Sequence, residues 1–91
     1  MILHIQTVEV CGPRQLRLRF NNGVEKRVDL SGLLNGPVFE PLRDQWFFSQ
    51  VQVDPICQTV VWPNGADFAP EALLELPELD AAAMVETSNR S

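Results

Sequence analysis

Few residues in this chain could do covalent chemistry. There are two cysteines, Cys11 and Cys57, and one histidine, His4. A cysteine nucleophile works as its thiolate and needs a base beside it, with a third group to orient that base. The spacing brings neither thiol to His4: Cys11 ends an apolar stretch, and Cys57 falls in a proline-containing turn. Two widely separated cysteines and a lone histidine do not make a four-ligand zinc set. The acids form no D-x-[DN]-x-[DN]-G metal loop, and the glycines of Asn22-Gly23 and Asn64-Gly65 are isolated turn residues, not a phosphate cradle. Neither enzymatic activity nor a cofactor or metal is therefore expected.

Two groups of residues could bind instead. The first is WPNGAD, residues 62–67. An exposed Trp62 would be a contact platform, with Asn64 and Asp67 as polar contacts and Arg43 available to pair with Asp67 or another acid. Each residue also has a structural job on offer: Trp62 in the core, Asn64-Gly65 as a turn, and Asp67 capping a helix that starts near Ala69–Pro70. The structural reading carries more weight, because it accounts for every residue. The second group is Arg17, Arg19 and Arg27, which share one face of a hairpin and could contact phosphates. Glu25 and Asp29 interleave with them, and no aromatic residue of that parity offers a stacking surface. A solvated face is the simpler account.

The elements that must position these residues are short. Residues 2–10 (ILHIQTVEV) are apolar and β-branched, which predicts a strand. Their alternation changes phase between Ile5 and Val8, so a bulge is expected near Gln6–Thr7. Residues 15–30 read as a β-hairpin. Leu16, Leu18 and Phe20 alternate with Arg17 and Arg19, and Val24, Val28 and Leu30 with Glu25, Arg27 and Asp29. A two-residue Asn22-Gly23 turn would mix the faces. A three-residue loop, Asn21-Asn22-Gly23, pairs Phe20 with Val24 and Leu16 with Val28, with Gly23 in the left-handed position. Lys26 opposite Leu18 is the misfit, and Arg17 opposes Arg27. Ser31–Asn35 suggests a helical turn, and Pro41 can open another with Leu42, Arg43 and Asp44. Trp46, Phe47 and Phe48 are expected to lead into a strand in which Phe47, Val51 and Val53 share a parity. A turn at Asp54-Pro55-Ile56-Cys57 would then pair Val51 with Val60 and Ser49 with Trp62. A short helix with Leu73, Leu74 and Leu76 on its apolar side should end at Pro77. Residues 78–86 have high helix propensity, and 87–91 should fray.

The chain has 91 residues, 45% hydrophobic and 21% charged, which implies one small globular domain. We divide it into a domain at 1–76 and a C-terminal helical segment and tail at 77–91. The net charge of −5 opposes a domain-wide grip on nucleic acid, so nucleic acid is expected at most as a weak or indirect partner. Five of the seven positive charges nevertheless lie between residues 14 and 27. No leader-like segment or membrane-spanning run is apparent, and a reducing cytoplasm is the expected compartment.

From its first strand through LRLRFNNGVEKRVDL (16–30), GPVFEPLRD (36–44), FFSQVQVD (47–54) and TVVWPNGADFAPEALLE (59–75), the chain closely resembles the bacterial family known as domain of unknown function 2442. WPNGAD followed by APEALL is the most specific part of the likeness, which covers roughly residues 4–75. The resemblance implies a small α+β domain with an antiparallel sheet, found alone or ahead of a helix-turn-helix DNA-binding domain, and it brings no established activity. A helix-turn-helix needs two helices and a basic surface, whereas residues 76–91 form a short, acidic stretch. The expected fold is thus α+β: a small antiparallel sheet of two β-hairpins plus an N-terminal strand, covered by short helices. The expected function is a non-catalytic protein-interaction or regulatory module, with another protein or a second copy as partner. The alternative is a nucleic-acid-linked regulator, of the transcription or toxin–antitoxin type, using the Arg17/Arg19/Arg27 face.

Overall fold

Residues 2–79 are described by a computed structural model. Alternating apolar residues build a three-stranded antiparallel sheet, β1 (Ile5–Gly12), β2 (Gln15–Phe20) and β3 (Glu25–Asp29), in that order. Leu16, Leu18, Phe20 and Val28 are fully buried on one face. The β2–β3 register is the one the side-chain alternation selects, with Leu16 opposite Val28, Arg17 opposite Arg27 and Arg19 opposite Glu25. Phe20 N–H donates to Val24 O at 2.8 Å, and Gly23 takes φ +91° in the three-residue loop, a backbone state open to glycine at little cost. On β1 the pairing steps from Ile5–Phe20 to Thr7–Arg19, so Gln6 is the extra residue of a bulge. The bulge turns both Ile5 and Val8 towards the core. A second irregularity follows between Val10 and Gly12.

The second hairpin is a separate two-stranded ladder, β4 (Gln52–Val53) with β5 (Val60–Val61), and not part of the same sheet. Its register also differs from expectation: Val53 opposes Val60, where the turn reading placed Val51. The loop is the cause. Asp54 N–H bonds to Thr59 O at 2.9 Å, and Gln58, at φ +58°, closes back onto Asp54 O at 2.7 Å. The closing pair is therefore Asp54–Thr59, one position later on each side. This keeps the parity of both strands, so Val60 and Trp62 still face the core.

Trp46-Phe47-Phe48 forms no strand. It lies in a single helical turn, α1 (Gln45–Phe48), which Asp44 caps by accepting from Trp46 N–H at 3.1 Å. A 3-10 turn at Glu40–Arg43 precedes it, with Pro41 in its first turn, and another spans Ser31–Leu33. Helix α2 (Pro70–Glu75) buries Leu73. These pieces cover the apolar face of the sheet through Leu42, Phe48 and Leu73.

Lys26 has a role in this packing. Its position on the core side of an edge strand lets Nζ donate to Leu74 O at 2.6 Å and Leu76 O at 2.5 Å, carbonyls at the end of α2 that the helix cannot pair itself. Beyond Pro77 the chain stays beside β3, where Leu79 N–H donates to Arg27 O at 2.7 Å. Glu78 and Leu79 are not helical, in contrast to the propensity reading of 78–86. The rest of that segment and the 87–91 tail lie outside the described residues.

Candidate functional site

WPNGAD is a structural corner. Trp62 is 2% exposed and donates its indole N–H to Phe48 O at 2.9 Å. It packs between Phe48 and Phe68, with ring centroids 5.6 and 5.9 Å away. The platform reading of Trp62 is thereby overturned: its ring lies in the core, packed against Phe48 and Phe68. Asn64 uses both ends of its amide, accepting from Ala66 N–H at 3.1 Å and donating to Val38 O at 2.9 Å. Gly65, at φ +89°, completes the turn.

Asp67 does not cap α2. Its backbone bridges to Val61, and the residue at the cap position is Ala69, with no side-chain bond. The bridge carries the chain two residues further before the helix begins, so the exposed Asp67 carboxylate is out of register with the helix amides. Arg43 does not meet Asp67 either. It donates to Leu34 O at 2.8 Å and to Asn35 Oδ1 at 3.0 Å, tying the 31–35 segment to the next turn.

The exposed aromatic of this protein is Trp46, at 74%. Its helix is anchored on the opposite side. Gln45 accepts from Arg14 N–H at 2.9 Å at the β1–β2 turn, and Phe48, three residues on, is buried. Residues 45, 48 and 49 share a helical face, so Trp46 is directed outwards. Arg14 closes the same corner, donating to Arg43 O at 3.2 Å. The missed signal is Asp44, two residues before Trp46: an Asp ahead of an aromatic run marks a helix start as readily as a strand approach.

The outward sheet face carries Arg17 and Arg19 on β2, Arg27 on β3, and three acids, Glu9, Glu25 and Asp29. Arg17 pairs with Glu9 at 3.4 Å and Arg19 with Glu25 at 2.6 Å, both exposed. Arg27 donates to Leu79 O at 2.9 Å. A shallow depression of about 240 Å³ lies among Thr7, Glu9, Arg17, Arg19 and Glu25. The balance of charge leaves this face little net positive potential for phosphates.

A cleft of about 570 Å³ brings together His4, Asn21, Asp54 and Gln58, with Val53 and Pro55 as walls. Nothing in the spacing of His4 and Asp54 anticipates that they line one cleft. Asp54 accepts from the backbone N–H groups of Cys57, at 2.6 Å, and Ile56, at 3.1 Å. Those amides, the Cys57 bond foremost, hold its carboxyl below the usual range. Asp54 in turn pushes the neighbouring Cys57 thiol up, through its bond to the carboxylate and through like charge. Partial burial raises the Cys11 thiol too, against the pull of Arg27 and Arg17. Both shifts run opposite to nucleophile activation. Among the described residues no group of three or more His, Cys, Asp or Glu side chains is placed to hold a metal, and no helix is long and apolar enough to cross a membrane.

Comparison with known proteins bears on this geometry in two ways. Among curated proteins none matches the chain. A similar solved structure is the crystal structure of a protein from Nitrosomonas europaea ATCC 19718 that bears the name "Putative DNA Binding Protein". It is 25% identical with a TM-score of 0.62, over 69% of this chain and 41% of that one, so this chain spans about two-fifths of that protein's length. A family model described as "Protein of unknown function (DUF2442)" matches residues 5–77, from the first residue of β1 to the proline after α2, and this chain belongs to that family.

Proposed function

We propose that this chain is a non-catalytic protein-interaction module and that Trp46 is its contact anchor. The observation that carries this reading is a tryptophan 74% exposed on a turn whose neighbours are tied down. A tryptophan can bury roughly 150–250 Å² on contact. Tryptophan and arginine are also the residues most enriched where binding energy concentrates. Because Gln45 and Asp44 already fix the turn, little ordering cost remains for a partner to meet. Two exposed free thiols suit a reducing compartment, and we place the protein in the cytoplasm. Affinity capture with tagged wild type and Trp46→Ala, read by mass spectrometry, tests the reading. A partner captured by wild type and lost from a folded Trp46→Ala supports it, and identical captured sets reject it.

A second reading has one observation in its favour, the name of the Nitrosomonas europaea protein. Under it, the Arg17/Arg19/Arg27 face contacts nucleic acid. Support would be duplex binding that weakens steeply with salt, while no binding at about 50 mM salt rejects it.

A further inference from the structure

The cleft between the start of the chain and the 54–58 loop has walls that are tied down and side chains that are not. Asn21 fixes one wall. Its backbone N–H donates to His4 O at 3.0 Å, and its side-chain amide accepts from His4 N–H at 2.9 Å and donates to Ile2 O at 2.7 Å. Gln58 fixes the other wall, donating its backbone N–H to Asp54 O at 2.7 Å and accepting from Ile5 N–H at 2.9 Å. The bond to Ile5 joins the two walls, so the cleft of about 570 Å³ is built before any ligand arrives. Among the described residues, the side chains of His4, Gln6 and Gln58 line this cleft without a hydrogen-bond partner. Two of these residues break the regular backbone. Gln6 is the extra residue of the β1 bulge, and Gln58 holds φ +58° although it carries a Cβ. Bulges and left-handed non-glycine residues concentrate where a side chain has to be aimed at a ligand.

We propose that this cleft binds a primary alkylammonium ion, with Asp54 as its counter-ion. Charge selects the sign of the ligand. Among the described residues, Asp54 is the one acid lining the cleft, and no Lys or Arg lines it. The chain as a whole carries −5. Both loop amides that bond Asp54 converge on Oδ2, so Oδ1 takes no backbone bond. Hydrogen bonding selects the head group. An ammonium has three N–H donors and no acceptor. The cleft residues supply acceptors to match: Asp54 Oδ1 and the amide oxygens of Gln6 and Gln58. Val53 and Pro55 give an apolar wall along which the methylene stem of such a ligand can lie. This chemistry has two sources, a free alkylamine and a lysine side chain of another protein. Trp46 is not among the cleft residues, so the site stands apart from the contact proposed above.

Titration of the isotope-labelled full chain with pentylamine, followed through backbone amide NMR shifts, tests the proposal. Saturable shifts are expected at Gln6, Asp54 and Gln58, and the uncharged pentanol should produce none at the same concentrations. Asp54→Asn keeps an oxygen for the Ile56 and Cys57 amides but removes the charge, and should weaken pentylamine binding at least about tenfold. Gln58→Gly suits the left-handed position, so it keeps the loop while deleting one acceptor, and should weaken binding as well. If Asp54→Asn does not fold, Gln58→Gly decides alone. Acetyl-lysine methylamide, titrated in the same way, separates the two sources: binding tighter than that of pentylamine assigns the site to a protein lysine, and weaker binding assigns it to a free amine. Pentylamine shifts that never saturate overturn the proposal, as does equal binding of pentanol or an unchanged affinity in either folded variant.

Discussion

Trp46 and Trp62 are the two tryptophans of this chain, and their surroundings assign them opposite work. Trp62 has an aromatic neighbour on either side and a backbone acceptor for its indole N–H. Trp62→Ala is expected to cost about 3–5 kcal/mol, read as a lower denaturant midpoint. Trp46→Ala should stay within about 0.5 kcal/mol of wild type in the same experiment. A loss at position 46 as large as that at 62 would make Trp46 a packing residue and remove the anchor. Lys26→Met keeps most of the aliphatic stem but leaves two carbonyls at the end of α2 without their donor. The expected loss is about 1.5–3 kcal/mol, again from denaturant midpoints, and an unchanged midpoint would mean that water replaces the ammonium without cost. The sequence shows that Lys26 breaks the alternation of β3, but not what it serves, because its acceptors lie nearly fifty residues away and only the tertiary fold brings them close. Composition cannot tell the two tryptophans apart. Only the helix start at Asp44 separates a buried Phe48 from an outward Trp46.

At the scale of elements, what could be read from sequence depended on how local the controlling interactions were. In the first hairpin, the alternation, broken only at Lys26, and one glycine at positive φ determine the register, and the structure has that register. In the second, the loop residues decide. Gln58 in a left-handed state lets the four-residue loop sit one position later in the chain, and a glutamine gives no warning of this. Asp54 holds the loop by accepting from Cys57 and Ile56, and these bonds keep its carboxyl below the unfolded value of about 3.9. A lowered native pKa stabilises above the unfolded pKa, and that contribution is lost as pH falls through the native value. The stability advantage of wild type over Asp54→Ala should therefore be present at pH 7 and shrink below about pH 4. Thermal midpoints at pH 7 and pH 3 check this, and an advantage that does not change with pH would contradict it. The Asp67 reading failed for a related reason. An isolated bridge to Val61 shifted the helix start beyond its reach, and cap spacing counted along the sequence cannot anticipate a bridge.

At the scale of the whole molecule, charge separates the two functional readings. The chain carries −5 overall, and its outward sheet face matches three arginines with three acids. A protein-contact role suits that balance better than a phosphate-binding one. The likeness to the Nitrosomonas europaea protein extends over only 41% of that chain, so its name describes a larger molecule than the part shared here. The most direct test of the central claim is site-specific photo-crosslinking in cells, with a crosslinking amino acid at position 46 and, as comparison, at position 17 on the sheet face. A discrete protein adduct is expected from position 46. Adducts to nucleic acid from position 17, with none to protein from position 46, would contradict it.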